Sequence, residues 1–204
     1  MFPGMAVTER TRTDDIDLRV VEPTDTPDVL RQLLAEVPDV VVASVQPGLI
    51  HPLQLCRELA DRAPISRVLV QATSDQAAHS YQAIRVGAWG CVDPSAGPAD
   101  LHEAAEAAAR GEAILPARHA AWLLRELDEG EQSAGGTAPT PDRLTAAERT
   151  VLRLLAEGAT PDTIGDHLGV STRVVGRHAG SAVARLHRRY RRPSEGTGEV
   201  TSLR

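Results

Sequence analysis

Residues 38–48 read PDVVVASVQPG, and the apolar run inside this stretch decides the fold. The run extends from Val40 to Val45, is interrupted only by Ser44, and is flanked by Pro38 and Pro47. A strand with one exposed face alternates apolar and polar residues. An almost unbroken run of β-branched residues therefore predicts a strand that is buried on both faces. Such strands are typical of parallel sheets that lie between layers of helices.

Segments with helical and strand patterns alternate on either side of this strand. The first helix pattern begins with Thr26 as the N-cap and Pro27 in the first helical position. The alternation predicts an α/β domain whose parallel strands are joined by right-handed crossovers, and the first dozen residues are expected to be disordered. The predicted strands are Leu18–Val21, Arg67–Ala72 and Trp89–Val92, and the predicted helices are 26–37, 53–62, 76–86 and 98–110.

Length and composition exclude several classes of protein. The 204 residues allow one large domain or two small ones. No apolar run approaches the ~20 residues of a membrane helix, and the amino-terminal residues lack an apolar signal core, so we expect a cytoplasmic protein. Cys56 and Cys91 are too few for a disulfide framework or a zinc site, and both are expected to be reduced and buried.

Charge divides the chain into two unlike parts. Residues 142–192 hold ten arginines and five acidic residues, a formal charge of +5, whereas the rest of the chain holds twelve arginines and twenty-three acidic residues, a charge of −11. A basic segment on an acidic chain indicates a module that binds a polyanion, although a solvated basic face would give the same count. All 22 basic residues are arginine, so any chemistry that needs a lysine is excluded.

The domain boundary is visible in the composition. Residues 128–142, DEGEQSAGGTAPTPD, contain three glycines, two prolines and no large apolar residue, which predicts a flexible linker. Residues 193–204 are also of low complexity and are expected to form a disordered tail. These stretches delimit a first domain over 17–127 and a second over 143–192.

The second domain carries the start and stop signals of three short helices. Thr145 and Glu148 form a capping box for the first helix, and Thr160 with Pro161 begins the second. Gly169 ends the second helix, and Ser171 is the predicted N-cap of the third. Two short helices joined by a glycine-containing turn are typical of a helix-turn-helix, whose second helix enters the major groove of DNA.

Three stretches of the first domain carry a family resemblance: PDVVVASVQPG at 38–48, RVLVQATSD at 67–75 and AIRVGAWGCVDPSAGPADLHEAAEAAARGEAILP at 83–116. They resemble the receiver domain of response regulators of the NarL/FixJ/LuxR type, which implies a flavodoxin-like sheet. Only one helix fits between Val21 and Pro38, so one edge strand and one helix of such a receiver are missing. The edge that this loss opens could be covered by a partner, as a homodimer or a heterodimer.

The resemblance also implies a phosphorylation site at the carboxyl ends of the strands, and this chain departs from it. The aspartate nucleophile is replaced by Ser44, the hydroxyl position by Ala72, the lysine by Pro94, and the acid pair is reduced to Glu22. Phosphoryl transfer to a carboxylate needs an anionic nucleophile and cations that balance the phosphate charge. We therefore interpret the domain as a degenerate receiver that does not use aspartyl phosphate.

The second domain resembles the LuxR-type helix-turn-helix. The resemblance implies DNA contacts from the third helix, but two glycines, Gly176 and Gly180, stand where the family commonly places basic or polar residues. Arg177 is the candidate for reading guanine, and the candidates for phosphate contacts are Arg173, His178, Arg185, Arg188 and Arg189. The matched positions are Leu144, Thr145, Glu148, Val151, Leu152, Leu154, Gly158, Ile164, Leu168, Val170, Ser171, Val175, His178 and Leu186.

Two functions remain open at this stage. The leading hypothesis is a transcription factor that binds double-stranded DNA and is regulated without phosphorylation. The alternative is a regulator that acts by protein–protein contact and binds DNA weakly alone. No combination of nucleophile, base and orienting group is found, so an enzyme, a cofactor and a metal site are not expected, whereas a small-molecule ligand at the strand ends stays possible. His51, His79, His102 and His119 are expected on surfaces, and Trp89 and Trp122 in the core or an interface.

Overall fold

The computed structural model describes residues 7–13, 16–21, 27–44, 52–72, 77–133 and 143–191. Four parallel strands form the centre of the first domain, with β2, β3, β4 and β5 adjacent in chain order. Every residue of β3 except its last is buried, as expected for a strand covered on both faces. The strands are β1 (Val7–Thr13), β2 (Ile16–Val21), β3 (Val40–Ser44), β4 (Arg67–Gln71) and β5 (Ala88–Val92).

The edge next to β2 differs from the prediction. The first dozen residues were expected to be disordered, but residues 7–12 together with Thr13 form β1, which pairs with β2 in antiparallel register from Val7–Val21 to Thr13–Ile16. The edge strand that a receiver would place there is therefore replaced by an antiparallel strand from the amino-terminal end. This corrects the expectation of an open β2 edge, because β1 supplies the backbone partners of that strand.

Helices cover both faces of the sheet. One apolar cluster lies on the side of α1, α2, α3 and α5, and a smaller one lies between the sheet and the alanine-rich α4. No helix in the described ranges is both long enough and apolar enough to span a bilayer. The helices of this domain are α1 (Pro27–Glu36), α2 (Pro52–Arg62), α3 (Ala77–Val86), α4 (Pro98–Ala109) and α5 (Ala117–Ser133).

Helix α5 extends beyond the predicted start of the linker. Residues 128–133 are helical, although they were assigned to the flexible stretch, while 134–142 and the predicted tail at 193–204 lie outside the described residues. The helix is stabilised there by the second domain, because Arg149 of that domain forms an ion pair with Asp128. Contact with the second domain thus orders the beginning of a stretch whose composition alone predicts disorder.

The second domain consists of three helices. Thr145 caps the first through a complete capping box with Glu148, and Thr160 caps the second by accepting a hydrogen bond from the Thr163 backbone N–H. Gly169 ends the second helix with a φ of 66°, in the left-handed region that favours glycine. The helices are α6 (Ala146–Ala156), α7 (Pro161–Leu168) and α8 (Thr172–Arg191).

The two domains share one apolar core. The larger cluster that contains Leu123 and Leu127 of α5 continues through Val151 and Leu155 of α6 to Leu186 of α8. Because this cluster is continuous, the second domain is packed against the helical face of the first, and α8 lies along α3 and α5. The recognition element is therefore positioned by the receiver-like domain.

Candidate phosphorylation-site positions and nucleic-acid interface

The strand ends of the sheet carry a neutral pair where the resemblance places a nucleophile. The Ser44 hydroxyl at the end of β3 donates a hydrogen bond of 2.8 Å to Oε1 of Gln71 at the end of β4. Ala72, at the hydroxyl position, is buried and presents only a methyl group. The hydroxyl of Ser44 is thus bound by an amide oxygen, which cannot remove its proton as a general base would.

The end of β5 holds a carboxylate, but no lysine stands beside it. Asp93 accepts hydrogen bonds from the Ser95 backbone N–H at 2.8 Å and the Ser95 hydroxyl at 2.6 Å, which lower the pKa of its carboxyl. Pro94, at the lysine position, is exposed. Glu22 lies outside the described residues, and within the described ranges no group of three His, Cys, Asp or Glu side chains is arranged to hold a metal ion.

A buried polar pair joins α3 and α5. His119 Nε2 is 2.7 Å from the Ser80 hydroxyl, and burial lowers the pKa of this imidazole to about 4. The expectation that His119 lies on the surface is wrong, because its side chain is fully buried. Cys56 and Cys91 are buried as expected, and burial raises the pKa of their thiols to about 12 and about 11. Both thiols are therefore protonated and unreactive at neutral pH.

An internal ion pair links the first and third helices of the second domain. Arg185 donates to the two carboxylate oxygens of Glu148 at 2.9 and 3.1 Å, and the two side chains are 17% and 4% exposed. Burial raises the pKa of Glu148, but the hydrogen bonds from Arg185 and Thr145 outweigh it and lower the pKa overall. The expected phosphate contact of Arg185 does not fit this arrangement, because its guanidinium is bound to Glu148.

The remaining predicted DNA contacts are distributed along α8. Arg177 and Arg188 are exposed, and His178 is half-buried. Arg173 is 64% exposed and lies 3.7 Å from the carboxylate of Glu112 in the receiver-like domain. Positions 173, 177 and 188 fall on one stripe of the helix because they are separated by four and eleven residues. The structure thus brings three of the six candidates to one solvent-facing stripe.

The neighbouring stripe of α8, which carries Gly176 and Gly180, is covered by the turn after α4. The Ala113 N–H donates to the Gly176 carbonyl oxygen at 3.1 Å, and an added Cβ at Gly180 would lie 2.1 Å from the Gly111 carbonyl oxygen. A Cβ at Gly176 would lie 2.9 Å from the Cβ of Glu112. The 111–113 turn and α8 are so close here that a residue larger than glycine does not fit at position 176 or 180 without a shift of the neighbouring atoms.

His187 continues the contact toward the end of α8. Its Nε2–H donates to the backbone carbonyl oxygens of Ile84 at 2.8 Å and Ala88 at 3.1 Å. Ile84 is in the last turn of α3, and its carbonyl oxygen also accepts a longer hydrogen bond of 3.3 Å from the Gly87 N–H, so the imidazole adds a second donor at this helix end. Burial lowers the pKa of His187 to about 4, and the nearby charge of Arg191 acts in the same direction.

Arg189 and Tyr190 complete the contact. Arg189 donates to the backbone carbonyl oxygens of Glu126 at 2.9 Å and Leu127 at 3.3 Å, and its guanidinium lies against Gly130. The Tyr190 hydroxyl donates to the carboxylate of Glu126, which also accepts from Arg85 at 2.6 Å. In this arrangement Arg189 binds the receiver-like domain, and the phosphate contact predicted for it would require the domains to separate.

Sequence reasoning missed Glu112, Gly130 and His187. His187 follows Val183 by four residues and therefore shares the buried face of α8, a signal that the helical spacing contained. Gly130 lies inside the predicted linker, and its partner Arg189 is distant in sequence. The sequence therefore gave no indication of this contact. Trp122 is buried and stacks on Tyr81 with ring centroids 5.0 Å apart, as expected for a core residue.

Known proteins are similar to this chain in sequence. Residues 142–192 match the family described as bacterial regulatory proteins, luxR family. The chain is 31% identical over 175 residues to the DNA-binding transcriptional activator DevR/DosR of Mycobacterium tuberculosis, with 84% of this chain and 78% of that protein covered. It is 29% identical to the transcriptional regulatory protein LiaR of Bacillus subtilis, covering 83% and 79% of the two chains.

Among solved structures, RcsB of Salmonella enterica serovar Typhimurium bound to the promoter P1flhDC is 22% identical, with a TM-score of 0.39 and coverage of 80% of this chain and 76% of that chain. The match over most of the length of DevR/DosR includes both the receiver-like domain and the helix-turn-helix. The chain belongs to the LuxR family of bacterial transcriptional regulators, in its response-regulator branch, and is not an enzyme.

Proposed function

We propose that this chain regulates transcription by binding double-stranded DNA, and that its receiver-like domain works without aspartyl phosphorylation. The observation that carries the second part is the neutral Ser44–Gln71 hydrogen bond of 2.8 Å at the nucleophile position. The buried methyl group of Ala72 and the exposed ring of Pro94 support it, because neither can stabilise the charge of a phosphoryl group. Regulation then depends on dimerisation, a ligand or protein abundance.

The test of phosphorylation is the intact mass of the protein after incubation with acetyl phosphate and Mg²⁺. We expect no change in mass, for the chain as it is and for Ser44→Asp, because the substitution restores a carboxylate but no lysine. A mass increase of one phosphoryl group in the unsubstituted chain would contradict the proposal. A response regulator with an intact aspartate site serves as the positive control for the phosphodonor.

DNA binding is assigned to the exposed arginine stripe of α8, with Arg177 reading a base and Arg173, His178 and Arg188 contacting phosphates. Arg is the side chain that most often reads guanine in the major groove. Arg177→Ala is expected to weaken specific binding by roughly 1–3 kcal/mol and to relax the preference at one base pair. The matched control is Arg125→Ala, which removes an exposed arginine of α5 that pairs with Glu129. Equal affinity of the Arg177 variant and the unsubstituted chain would remove this assignment.

A second function, regulation by protein–protein contact, is favoured by one observation. The stripe of α8 that carries Gly176 and Gly180 contacts protein backbone and presents no side chain that could reach a base. The two functions differ in a gel-shift experiment with the purified chain. If the chain binds DNA without any other protein, and its affinity falls steeply as salt increases, the result supports the transcription factor. A shift that needs a second regulator in the mixture supports the alternative.

The relatives named above are transcriptional regulators, and we expect this chain to act in the cytoplasm, where its DNA target lies. Homodimerisation or heterodimerisation through the receiver-like domain remains part of the proposal. The β2 edge is no longer its candidate surface, because β1 is paired there. Sedimentation equilibrium of the chain tests the dimer, and a monomer at micromolar concentration would contradict it.

A further inference from the structure

The geometry points to Thr172, held in place by Asp162, as a reader of thymine: the hydroxyl of this threonine is bound within the helix-turn-helix, and its methyl group contacts the base. The inference rests on the proposed DNA-binding function and adds to it a specificity-determining residue and the base that this residue selects. Three observations carry it: the place of Thr172 at the start of α8, the close packing of that start against α7, and the hydrogen bond to Asp162.

Thr172 stands at the end of α8 where base contacts are expected. It is the first residue of the helix and is exposed to solvent. In a helix-turn-helix, the amino-terminal residues of the second helix contact the base edges in the major groove of DNA. A side chain at position 172 is therefore next to base edges when α8 lies in the groove.

The start of α8 is fixed against α7 by close backbone packing. The Val170 N–H donates to the Gly165 carbonyl oxygen at 2.9 Å. An added Cβ at Gly165 would lie 2.7 Å from the Val170 carbonyl oxygen and 3.4 Å from the Thr172 nitrogen, so the turn between the helices lies directly on α7. The backbone of Thr172 thus has a defined position before DNA binds, and less conformational entropy is lost when it meets a base.

The hydroxyl of Thr172 is bound to a carboxylate of the neighbouring helix. It donates to Oδ1 of Asp162 at 2.5 Å, a distance typical of a hydroxyl that donates to an ionised carboxylate. Asp162 lies in the first turn of α7, where the helix dipole favours a negative charge. A hydroxyl has one proton to donate, so this group cannot donate to a base while the bond is present. Because the hydroxyl and the methyl group share one Cβ, fixing the first also fixes the second.

The methyl group is therefore the part of Thr172 that is available for an apolar contact with DNA. Thymine presents a methyl group in the major groove, and the methyl group of threonine is among the apolar groups that contact it. The carboxylate of Asp162 adds to this selectivity, because it has the charge of a phosphate and lies at the end of α7 where an anion would otherwise bind. Thr172 then contributes preference for a base, and the arginines of α8 supply the general affinity.

Deoxyuridine tests the proposal in the full chain, because uracil differs from thymine only by the absence of the methyl group. The probe is a duplex selected from a random pool by the unsubstituted chain, in which each thymine is replaced in turn by deoxyuridine. We expect one replacement in each binding site to weaken binding roughly fourfold, the effect of one lost methyl contact. Thr172→Ser keeps the hydroxyl but lacks the methyl group, so it should bind the two duplexes equally.

The matched control for Thr172→Ser is Thr150→Ser, which removes the same methyl group from a half-buried position of α6 and should keep the thymine preference. Circular dichroism shows whether each variant is folded. A thymine preference that survives in Thr172→Ser would overturn the proposal. So would a selected duplex in which no thymine can be distinguished from deoxyuridine by the unsubstituted chain.

Substitutions of Asp162 test whether its carboxylate positions the methyl group. Asp162→Ala leaves the Thr172 hydroxyl without its acceptor, so the side chain can rotate and we expect the thymine preference to fall below twofold. Asp162→Asn keeps an oxygen that accepts from the hydroxyl, so it should retain the preference, while the loss of a negative charge strengthens binding to every duplex. An unchanged preference in Asp162→Ala would overturn the role of Asp162. Absence of binding to any duplex by the unsubstituted chain would overturn the proposed function itself, whereas binding without a thymine preference would overturn this inference alone.

Discussion

At the strand ends of the sheet, Ser44 and Gln71 share one neutral hydrogen bond, whereas α8 is held against the same domain by His187, Arg189 and two glycines in backbone contact. The first region is where a receiver accepts its signal, and the second is where a LuxR-type domain reads DNA. The described pair at the strand ends is neutral, whereas the contact between the domains consists of specific hydrogen bonds and close backbone approaches. The comparison indicates that this pair offers no charged group to a phosphoryl group, while the position of α8 is fixed by the first domain.

The largest effect is expected from the charged pair that supports α8 from within its own domain. Glu148→Ala leaves the guanidinium of Arg185, which is 17% exposed, without its carboxylate and also removes the capping box. We expect a loss of about 3–5 kcal/mol in the free energy of unfolding, measured by chemical denaturation. The matched control is Glu157→Ala, because its pair with Arg153 is exposed and should contribute less than about 1 kcal/mol. Similar losses in the two variants would show that the Glu148 pair is no more than a surface contact.

A smaller effect on stability is expected from pH. It comes from two buried histidines, His187 at the contact between the domains and His119 in the core of the first domain. His187 and His119 have folded-state pKa values of about 4, below the ordinary value of 6.5. The unfolded chain therefore binds protons first as the pH falls, so stability is complete above about pH 6.5 and decreases between pH 6.5 and 4, by on the order of 3 kcal/mol for each histidine.

Denaturation at several pH values checks this expectation. His187→Gln keeps a side-chain N–H that can donate to Ile84 but does not titrate, so we expect it to remove about half of the pH dependence. Scattering on the same samples should show that acidification separates the domains of the unsubstituted chain before the first domain unfolds. A pH profile of His187→Gln identical to that of the unsubstituted chain would show that the imidazole at the domain contact does not contribute.

The smallest effect is expected at the strand ends. Ser44→Ala removes one neutral hydrogen bond to Gln71 and should cost about 1 kcal/mol of stability, with no change in DNA affinity. Val42→Ala, in the same strand and fully buried, is the comparison and should cost more because it leaves a cavity. A change of DNA affinity in Ser44→Ala would show that the strand ends influence DNA binding.

The sequence predicted elements whose signals are local. The bounds of α2, α3, β4 and β5 agree within one residue with their predicted ranges, because apolar periodicity and glycine or proline boundaries are properties of neighbouring residues. Strand β1 was missed because VTERTRT has no apolar run, and an edge strand paired on one side does not need one. The strand itself depends on its pairing with β2, which follows it in the chain.

The contact between the domains could not be predicted from the sequence. Gly111 and Gly180 are far apart in sequence, and no spacing rule relates them. Gly176 and Gly180 could be recognised only as departures from a resemblance, which indicated lost DNA contacts but not the contacts that replace them. Arg185 and Arg189 were predicted as phosphate contacts from their charge and their position on the helix. Neither property gives information about a partner on another helix, and both arginines have one.

The affinity of the full chain for a selected DNA duplex, measured before and after incubation with acetyl phosphate and Mg²⁺, tests the account most directly. We predict that the phosphodonor leaves the affinity unchanged, because the neutral Ser44–Gln71 pair offers no nucleophile to a phosphoryl group. An affinity that increases with the phosphodonor would contradict the account, because the strand ends would then receive a phosphoryl signal.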